Sequence, residues 1–118
     1  MKVSLGEIYM STSVMNKLID APFNAKISFR LARAMREMND ALKNLEEERA
    51  KLIKKYGQDS GDGNITVSEE NKNKFLEEFY SLLEENIEIG WEPLEPEILG
   101  ETTLSVGEIS KIAFLFRQ

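Results

Sequence analysis

Apolar residues recur with a helical period over residues 24–56, a stretch that contains neither proline nor glycine. One set recurs every seven positions, and a second set follows members of the first by four. This spacing places both sets on one face of a single α-helix about 50 Å long. A compact domain of 118 residues is about 30 Å across, so we expect another chain to cover part of this face. The two sets are Leu31, Met38, Leu45 and Leu52, and then Met35, Leu42 and Tyr56.

Shorter patterns precede and follow this helix. Alternation of apolar and polar residues predicts a strand over Lys2–Tyr9, followed by a short helix capped within Ser11–Ser13 and ending at Ile19. Asn24 is a suitable N-cap for the long helix, and Gly57 can end it as the C′ residue.

The C-terminal half of the chain predicts further short elements. A turn-rich segment, 57–64, leads to a short strand at 65–67 and to another helix, which follows the long one and is capped by Ser68. Alternating apolar residues predict a strand over Asn86–Trp91, and a capping-box pattern at Ser105–Glu108 precedes a final short helix.

This order of elements predicts one α+β domain spanning residues 1–118. It should be mainly helical, with one long helix packed with shorter helices and a small β-sheet. Because a short loop joins the long helix to the next, we expect its C-terminal half, with Leu45, Leu52 and Tyr56, to pack inside the chain. Its N-terminal half is then the part expected to contact a partner.

The side-chain inventory excludes several classes of chemistry. The chain has no cysteine and no histidine, so it cannot form disulfides, thiolate metal sites, or Ser-His and Cys-His catalytic pairs. Neighbouring acids such as Glu84 and Glu85 point about 100° apart on a helix and do not share a site. We therefore expect a protein that is not an enzyme and needs no cofactor.

Charge is distributed unevenly along the chain, whose net charge is −6. Residues 1–57 carry 11 basic and 7 acidic side chains, whereas residues 69–101 carry 2 basic and 11 acidic ones. We expect these halves to face each other, within one chain or across a homo-oligomer. The predicted partner-binding residues are Lys26, Arg30, Arg33, Met35, Met38, Glu77, Glu78, Glu84 and Glu85.

A basic helical face could instead dock on phosphates, since Lys26, Arg30 and Arg33 recur at i, i+4 and i+7. No interleaved aromatic platform is expected beside these few cations, and the chain is acidic overall, so nucleic acid is not the expected partner. A membrane partner is not expected either, because no apolar run is long enough to span a bilayer. Glu7 falls where a signal peptide has its apolar stretch, which predicts a cytoplasmic protein.

Residues Gln58–Glu69 match much of a calcium-binding EF-hand loop. Asp62, Gly63 and Glu69 fall at loop positions 5, 6 and 12, but Gln58 replaces the aspartate of position 1. The flanking residues are also wrong for an EF-hand, and no second loop pairs with this one. We predict a polar turn between helices rather than a calcium site, with weak binding as the open alternative.

The layout resembles that of small proteins encoded by tailed bacteriophages and prophages of Gram-positive bacteria. The resembling segments are MKVSLGEIY, LIKKYG, NITVSEEN, KFLEEFYSLLEENIEIGWEPL and LSVGEISKIAFLF. The resemblance implies a phage accessory protein, acting in virion assembly or binding a host factor, in the cytoplasm of the bacterial host or in the virion.

Two hypotheses follow. The first is a self-associating protein–protein interaction protein, indicated by the over-long amphipathic helix. The second is an inhibitor that presents the acidic segment 69–101 to a host nucleic-acid-binding or defence protein.

Overall fold

The structure, a computed structural model, describes residues 2–59, 61, 63, 65–100 and 102–116. It is an α+β fold and mainly helical, as the sequence predicts. Its elements in chain order are β1 (Lys2–Ser4), α1 (Leu5–Ile19), α2 (Ala25–Tyr56), β2 (Gly57–Asp59), β3 (Ile65–Val67), α3 (Glu69–Leu83), β4 (Asn86–Glu88), a 3-10 turn (Pro96–Leu99), α4 (Val106–Lys111) and a second 3-10 turn (Ala113–Leu115).

The long helix α2 determines the shape of the molecule. Its 32 residues span about 48 Å at 1.5 Å per residue, and the molecule measures 51 × 29 × 24 Å. The radius of gyration is 17.2 Å, whereas a compact domain of this length has about 13–14 Å. The Asn24 side chain caps the helix by accepting a hydrogen bond from the amide of Ile27, at 3.0 Å, as its sequence position predicts.

Two small antiparallel sheets contain the four strands. In one, β1 pairs with β4, with Val3 opposite Ile87; in the other, β2 pairs with β3, with Gln58 opposite Thr66. The sequence left the pairing of the N-terminal strand open, and the structure joins it to the segment that follows α3.

The first helix begins earlier than predicted. The Ser4 hydroxyl accepts a hydrogen bond from the Glu7 amide at 3.1 Å, so the helix begins at Leu5 and the strand predicted over Lys2–Tyr9 ends at Ser4. The reason is burial: Ile8 and Ser11 are fully buried, and only a helix turns both of these side chains toward the same core.

The second predicted strand is also shorter, because β4 ends at Glu88. After it the chain leaves the sheet and Trp91 enters the core, where its side chain is buried. Tertiary packing of the indole therefore overrides the local alternation that favoured a strand.

The hydrophobic core lies between α1, the first half of α2 and the C-terminal segment, which we define as residues 91–116. The backbone of Leu94 holds that segment in place by donating to the carbonyl of Leu115 at 2.8 Å. The buried residues of this cluster are Val3, Ile8, Val14, Met15, Leu18, Leu31, Ala34, Met38, Ala41, Trp91, Leu94, Ile112, Leu115 and Phe116. Leu45 on α2 and Phe79 on α3 are also buried, outside this cluster.

The predicted division of α2 is wrong for the N-terminal half, which holds most of the buried residues of the helix. The prediction for the C-terminal half is confirmed in part, because Leu45 is buried and this half pairs antiparallel with α3. A short turn folds α1 back on the N-terminal half of α2, and the C-terminal segment packs there as well. Leu52 and Tyr56, which were expected to be intrachain core, are only half-buried. The core thus extends from the N-terminal half of α2 to Leu45, and the remainder of the helix packs against α3 and the hairpin of β2 and β3.

Gly57 joins α2 to β2 by close approach rather than by an unusual backbone angle. Its φ of −88° is open to any residue, which differs from the left-handed C′ role predicted for it. A Cβ at this position would overlap the carbonyl oxygen of Ile53 and a methyl group of Ile65. Only glycine lets the hairpin lie this close to the helix end.

The core predicts a matched pair of effects on α1. Ile8 is fully buried and Ile19 is 55% exposed. Ile8→Ala should lower the free energy of unfolding by about 2–5 kcal/mol, since it leaves a cavity, whereas Ile19→Ala should change it by less than about 0.5 kcal/mol. Urea denaturation followed by the fluorescence of Trp91, the single tryptophan, measures both. Equal losses would mean that the described core is wrong.

Gly57 gives a second prediction. Gly57→Ala should destabilise by about 1–3 kcal/mol, because the new methyl group overlaps backbone that cannot move freely. Gly107→Ala is the control: the nearest atom to its new Cβ is the Ser105 hydroxyl oxygen at 3.8 Å, so thermal unfolding should show no loss and a gain of up to about 1 kcal/mol. A neutral Gly57→Ala would contradict this packing of the hairpin.

Candidate protein-binding surfaces

The far end of the molecule is an arm, which we define as residues 46–78: the last third of α2, the β2–β3 hairpin and the first two thirds of α3. None of its described residues is buried, in contrast to the rest of the molecule, which we call the body. Its apolar side chains remain half-buried or exposed, because the two helices of the arm pack against each other and no further helix covers them. The large apolar residues of the arm are Leu52, Ile53, Tyr56, Ile65, Phe75 and Leu76.

Polar contacts fix the two helices of the arm against each other. The Lys55 ammonium lies 3.2 Å from the Glu78 carboxylate and 5.1 Å from the centre of the Tyr56 ring. At the tip, the Asn71 side-chain amide donates to the backbone carbonyl of Tyr56 at 3.1 Å. The helices therefore run antiparallel with a defined register, despite the absence of buried described residues in the arm.

Hydrogen bonds among Lys55, Tyr56 and Glu78 shift the pKa values of the glutamate and the tyrosine. The Tyr56 hydroxyl and then the Lys55 ammonium hydrogen-bond to Glu78, and both hold the pKa of that carboxyl below its usual value. The same bond to Glu78, followed by desolvation, raises the pKa of Tyr56. Both shifts favour a charged glutamate beside a neutral tyrosine.

At the opposite end, the three predicted cations of α2 line one cleft of about 330 Å³. Arg30 lies 3.7 Å from the carboxylate of Glu92, and both side chains are well exposed. The chain segment after β4 forms the other wall. The lining residues are Lys26, Phe29, Arg30, Arg33, Trp91 and Glu92.

The expectation that no aromatic side chain accompanies these cations is wrong. Phe29 lies between Lys26 and Arg30 in the sequence and is 67% exposed, an unusual position for a phenylalanine. Trp91 also lines the cleft; its side chain is buried, and its indole nitrogen has no hydrogen-bond partner among the described residues. The position of Phe29 was visible in the sequence, whereas the approach of Trp91 depends on tertiary structure.

The predicted acidic residues divide into two groups. The carboxylate of Glu78 is paired within the chain with Lys55 and Tyr56. Glu77, Glu84 and Glu85 are exposed. Tyr80, which is not among the predicted partner-binding residues, lies between Glu77 and Glu84 in the sequence and is 56% exposed.

The two predicted methionines do not form an exposed surface. Met38 is 3% exposed inside the core, because α1 covers this part of α2. Met35 is half-buried and lines a small groove between α1 and α2, together with Met15 and Leu42. Of the residues predicted to bind a partner at this end, Met38 is therefore not on the surface, whereas the cations and the neighbouring Phe29 are.

The EF-hand-like segment forms a hairpin. Gln58, at loop position 1, pairs with Thr66, at position 9, as neighbours in an antiparallel sheet. Ser60 and Asp62 lie outside the described residues. Within the described ranges, no three acidic side chains are grouped so as to hold a metal ion. The absence of calcium binding stays a prediction.

The cluster at the base of the hairpin predicts a pH dependence. Because the pKa of Glu78 is lower in the folded state, its stabilisation is present above the pKa of an unfolded glutamate and is lost as pH falls through the folded-state value. The raised pKa of Tyr56 gives stabilisation that is lost at alkaline pH. Tyr56→Phe should move the Glu78 pKa up toward its ordinary value, as measured by carboxyl-carbon NMR titration. An unchanged Glu78 pKa would contradict this hydrogen bond.

Within the described residues, no helix is both long enough and apolar enough to cross a membrane. No protein-family model, no curated protein and no solved structure matches the chain.

Proposed function

We propose that this chain is a non-enzymatic protein–protein interaction protein that self-associates, and that it serves a tailed bacteriophage as an accessory or assembly protein. The observation that carries self-association is the arm, whose large apolar residues have no third layer to cover them. The phage setting rests on the resemblance of the sequence segments. The absence of histidine and cysteine supports a role in binding.

The energetics of the arm favour a covering partner. A pair of helices without buried side chains gains little from the hydrophobic effect, and most helical stability in proteins comes from packing. Burying a large apolar side chain fully contributes about 1.5–3 kcal/mol. Leu52, Phe75 and Leu76 are already half-buried, so covering them would contribute only the remainder of that energy and would offset part of the entropy lost on association.

A second copy of the chain is the occupant that the charges favour. Residues 69–85, which follow the hairpin, carry 6 acidic and 2 basic side chains, and residues 24–36 at the other end carry 4 basic and no acidic ones. An antiparallel pair would lay the arm of each copy along the basic end of the other. Opposite charges orient such an encounter and disfavour a parallel one.

A phage inhibitor of a host protein is the second candidate. The exposed Glu77, Glu84 and Glu85 would present negative charge to a basic host surface. Under this alternative the free chain is a monomer, so its state of association separates the two proposals.

Sedimentation equilibrium at micromolar concentration tests the proposal. The chain should behave as a dimer or larger assembly, and Leu52→Asp should weaken association at least tenfold, since it places a charge on the covered face. Circular dichroism should stay unchanged, because Leu52 lies outside the buried core cluster. Ala50→Asp, at an exposed position of the same helix, is the matched control and should associate normally.

Two results would count against the proposal. A wild-type chain that stays monomeric up to high concentration removes self-association. Equal association of wild type and Leu52→Asp, with both folded, shows that the arm is not the covered surface.

A further inference from the structure

Two exposed helical stripes on this chain have the same spacing and opposite charge. On α2, Lys26 and Arg33 flank Phe29; on α3 and its C-cap, Glu77 and Glu84 flank Tyr80. In each stripe the three residues fall at i, i+3 and i+7, which places them on one helix face over about 10 Å. We call these the basic stripe and the acidic stripe.

Both stripes are exposed within the chain. The central aromatic residues are 67% exposed at Phe29 and 56% exposed at Tyr80. None of the four flanking charges forms an ion pair with another described residue. By contrast, the neighbouring Arg30 and Glu78 each have an intrachain partner, Glu92 and Lys55. The charged residues of the two stripes therefore have no ion-pair partner among the described residues, whereas their neighbours Arg30 and Glu78 do.

The stripes cannot meet within one molecule. The acidic stripe belongs to α3, which packs on the last third of α2 with Glu78 beside Lys55. The basic stripe is near the start of α2, where Arg30 meets Glu92. Residues 30 and 55 of one straight helix are about 37 Å apart at 1.5 Å per residue. A contact between the stripes therefore needs a second copy.

We infer that the basic stripe of one copy docks on the acidic stripe of another, with Lys26 and Arg33 paired to Glu77 and Glu84 around a contact between Phe29 and Tyr80. This inference rests on the proposed self-association and names its residues. Two such contacts form if the copies pair antiparallel about a twofold axis, because each copy then contributes one stripe of each kind.

The three residue types have different roles in this contact. The aromatic pair supplies the apolar area and is enriched as a class at the centres of interfaces. The ion pairs lie at the edge, where they add little affinity but select partner and register. Arg33 can also stack on the Tyr80 ring as a cation–π contact.

Charge exchange between variants tests the inference. Lys26→Glu with Arg33→Glu, and separately Glu77→Lys with Glu84→Lys, should each weaken self-association at least tenfold, because like charges then face each other. An equimolar mixture of the two variants should associate again, since each basic surface meets an acidic one. Sedimentation equilibrium of each variant and of the mixture measures this, and circular dichroism checks that both variants fold.

A control variant, Lys43→Glu with Lys111→Glu, changes net charge by the same amount at exposed positions outside both stripes. It should associate like wild type. Wild-type association should also weaken as sodium chloride is raised, because salt screens exposed pairs.

Several outcomes would overturn the inference. If wild type and both reversed variants associate equally, the stripes are not the interface, although the proposed self-association still stands. If wild type is monomeric, both proposals fall. If wild type binds a labelled single-stranded oligonucleotide and Lys26→Glu with Arg33→Glu abolishes that binding while leaving self-association intact, the basic stripe serves nucleic acid instead.

Discussion

The rest of the structure depends on the packing of the first two thirds of α2 against α1 and the C-terminal segment. Leu31, Ala34, Met38, Ala41 and Leu45 form one buried stripe on α2. Because this stripe ends at Leu45, about two thirds of the way along a helix of 32 residues, the last third extends beyond the buried core. The elongated shape and the arm both follow from that single constraint.

The part of the chain that follows the hairpin runs back along α2 and contacts it at several points. Asn71 meets Tyr56, Gly90 donates its amide to Glu37 at 3.0 Å, and Glu92 reaches Arg30. As residue numbers rise along the returning segment, those of its partners on α2 fall. This antiparallel course brings Trp91 to the cations of the basic end, and it places the acidic α3 at the other end.

Charge is separated along the length of the molecule. The sequence suggested that the basic and acidic halves neutralise each other, either within one chain or between chains. The intrachain ion pairs of the described residues, such as Arg30–Glu92 and Lys55–Glu78, use only part of this charge. Among the charges that remain, those beside Phe29 on α2 and Tyr80 on α3 lie on exposed faces. Under the proposed self-association these two faces are complementary in charge.

The sequence by itself determined the elements whose causes are local. Helix α2 follows from an uninterrupted apolar period, and Asn24, Ser68 and the capping box at Ser105 set helix starts through hydrogen bonds within one turn. Cations at i, i+4 and i+7 were certain to share a face.

Tertiary structure decided what depends on distant residues. Whether the alternation at Val3 and Leu5 became strand or helix depended on the core that buries Ile8. Which part of α2 was buried depended on where α1 and the C-terminal segment packed. The apolar residues recur with the same spacing along the whole helix, so their pattern does not distinguish one half from the other. The pairing of Glu78 with Lys55, which removed it from the free acidic surface, likewise arose only when α3 folded back on α2, because contacts between residues 23 positions apart are set by packing and not by local pattern.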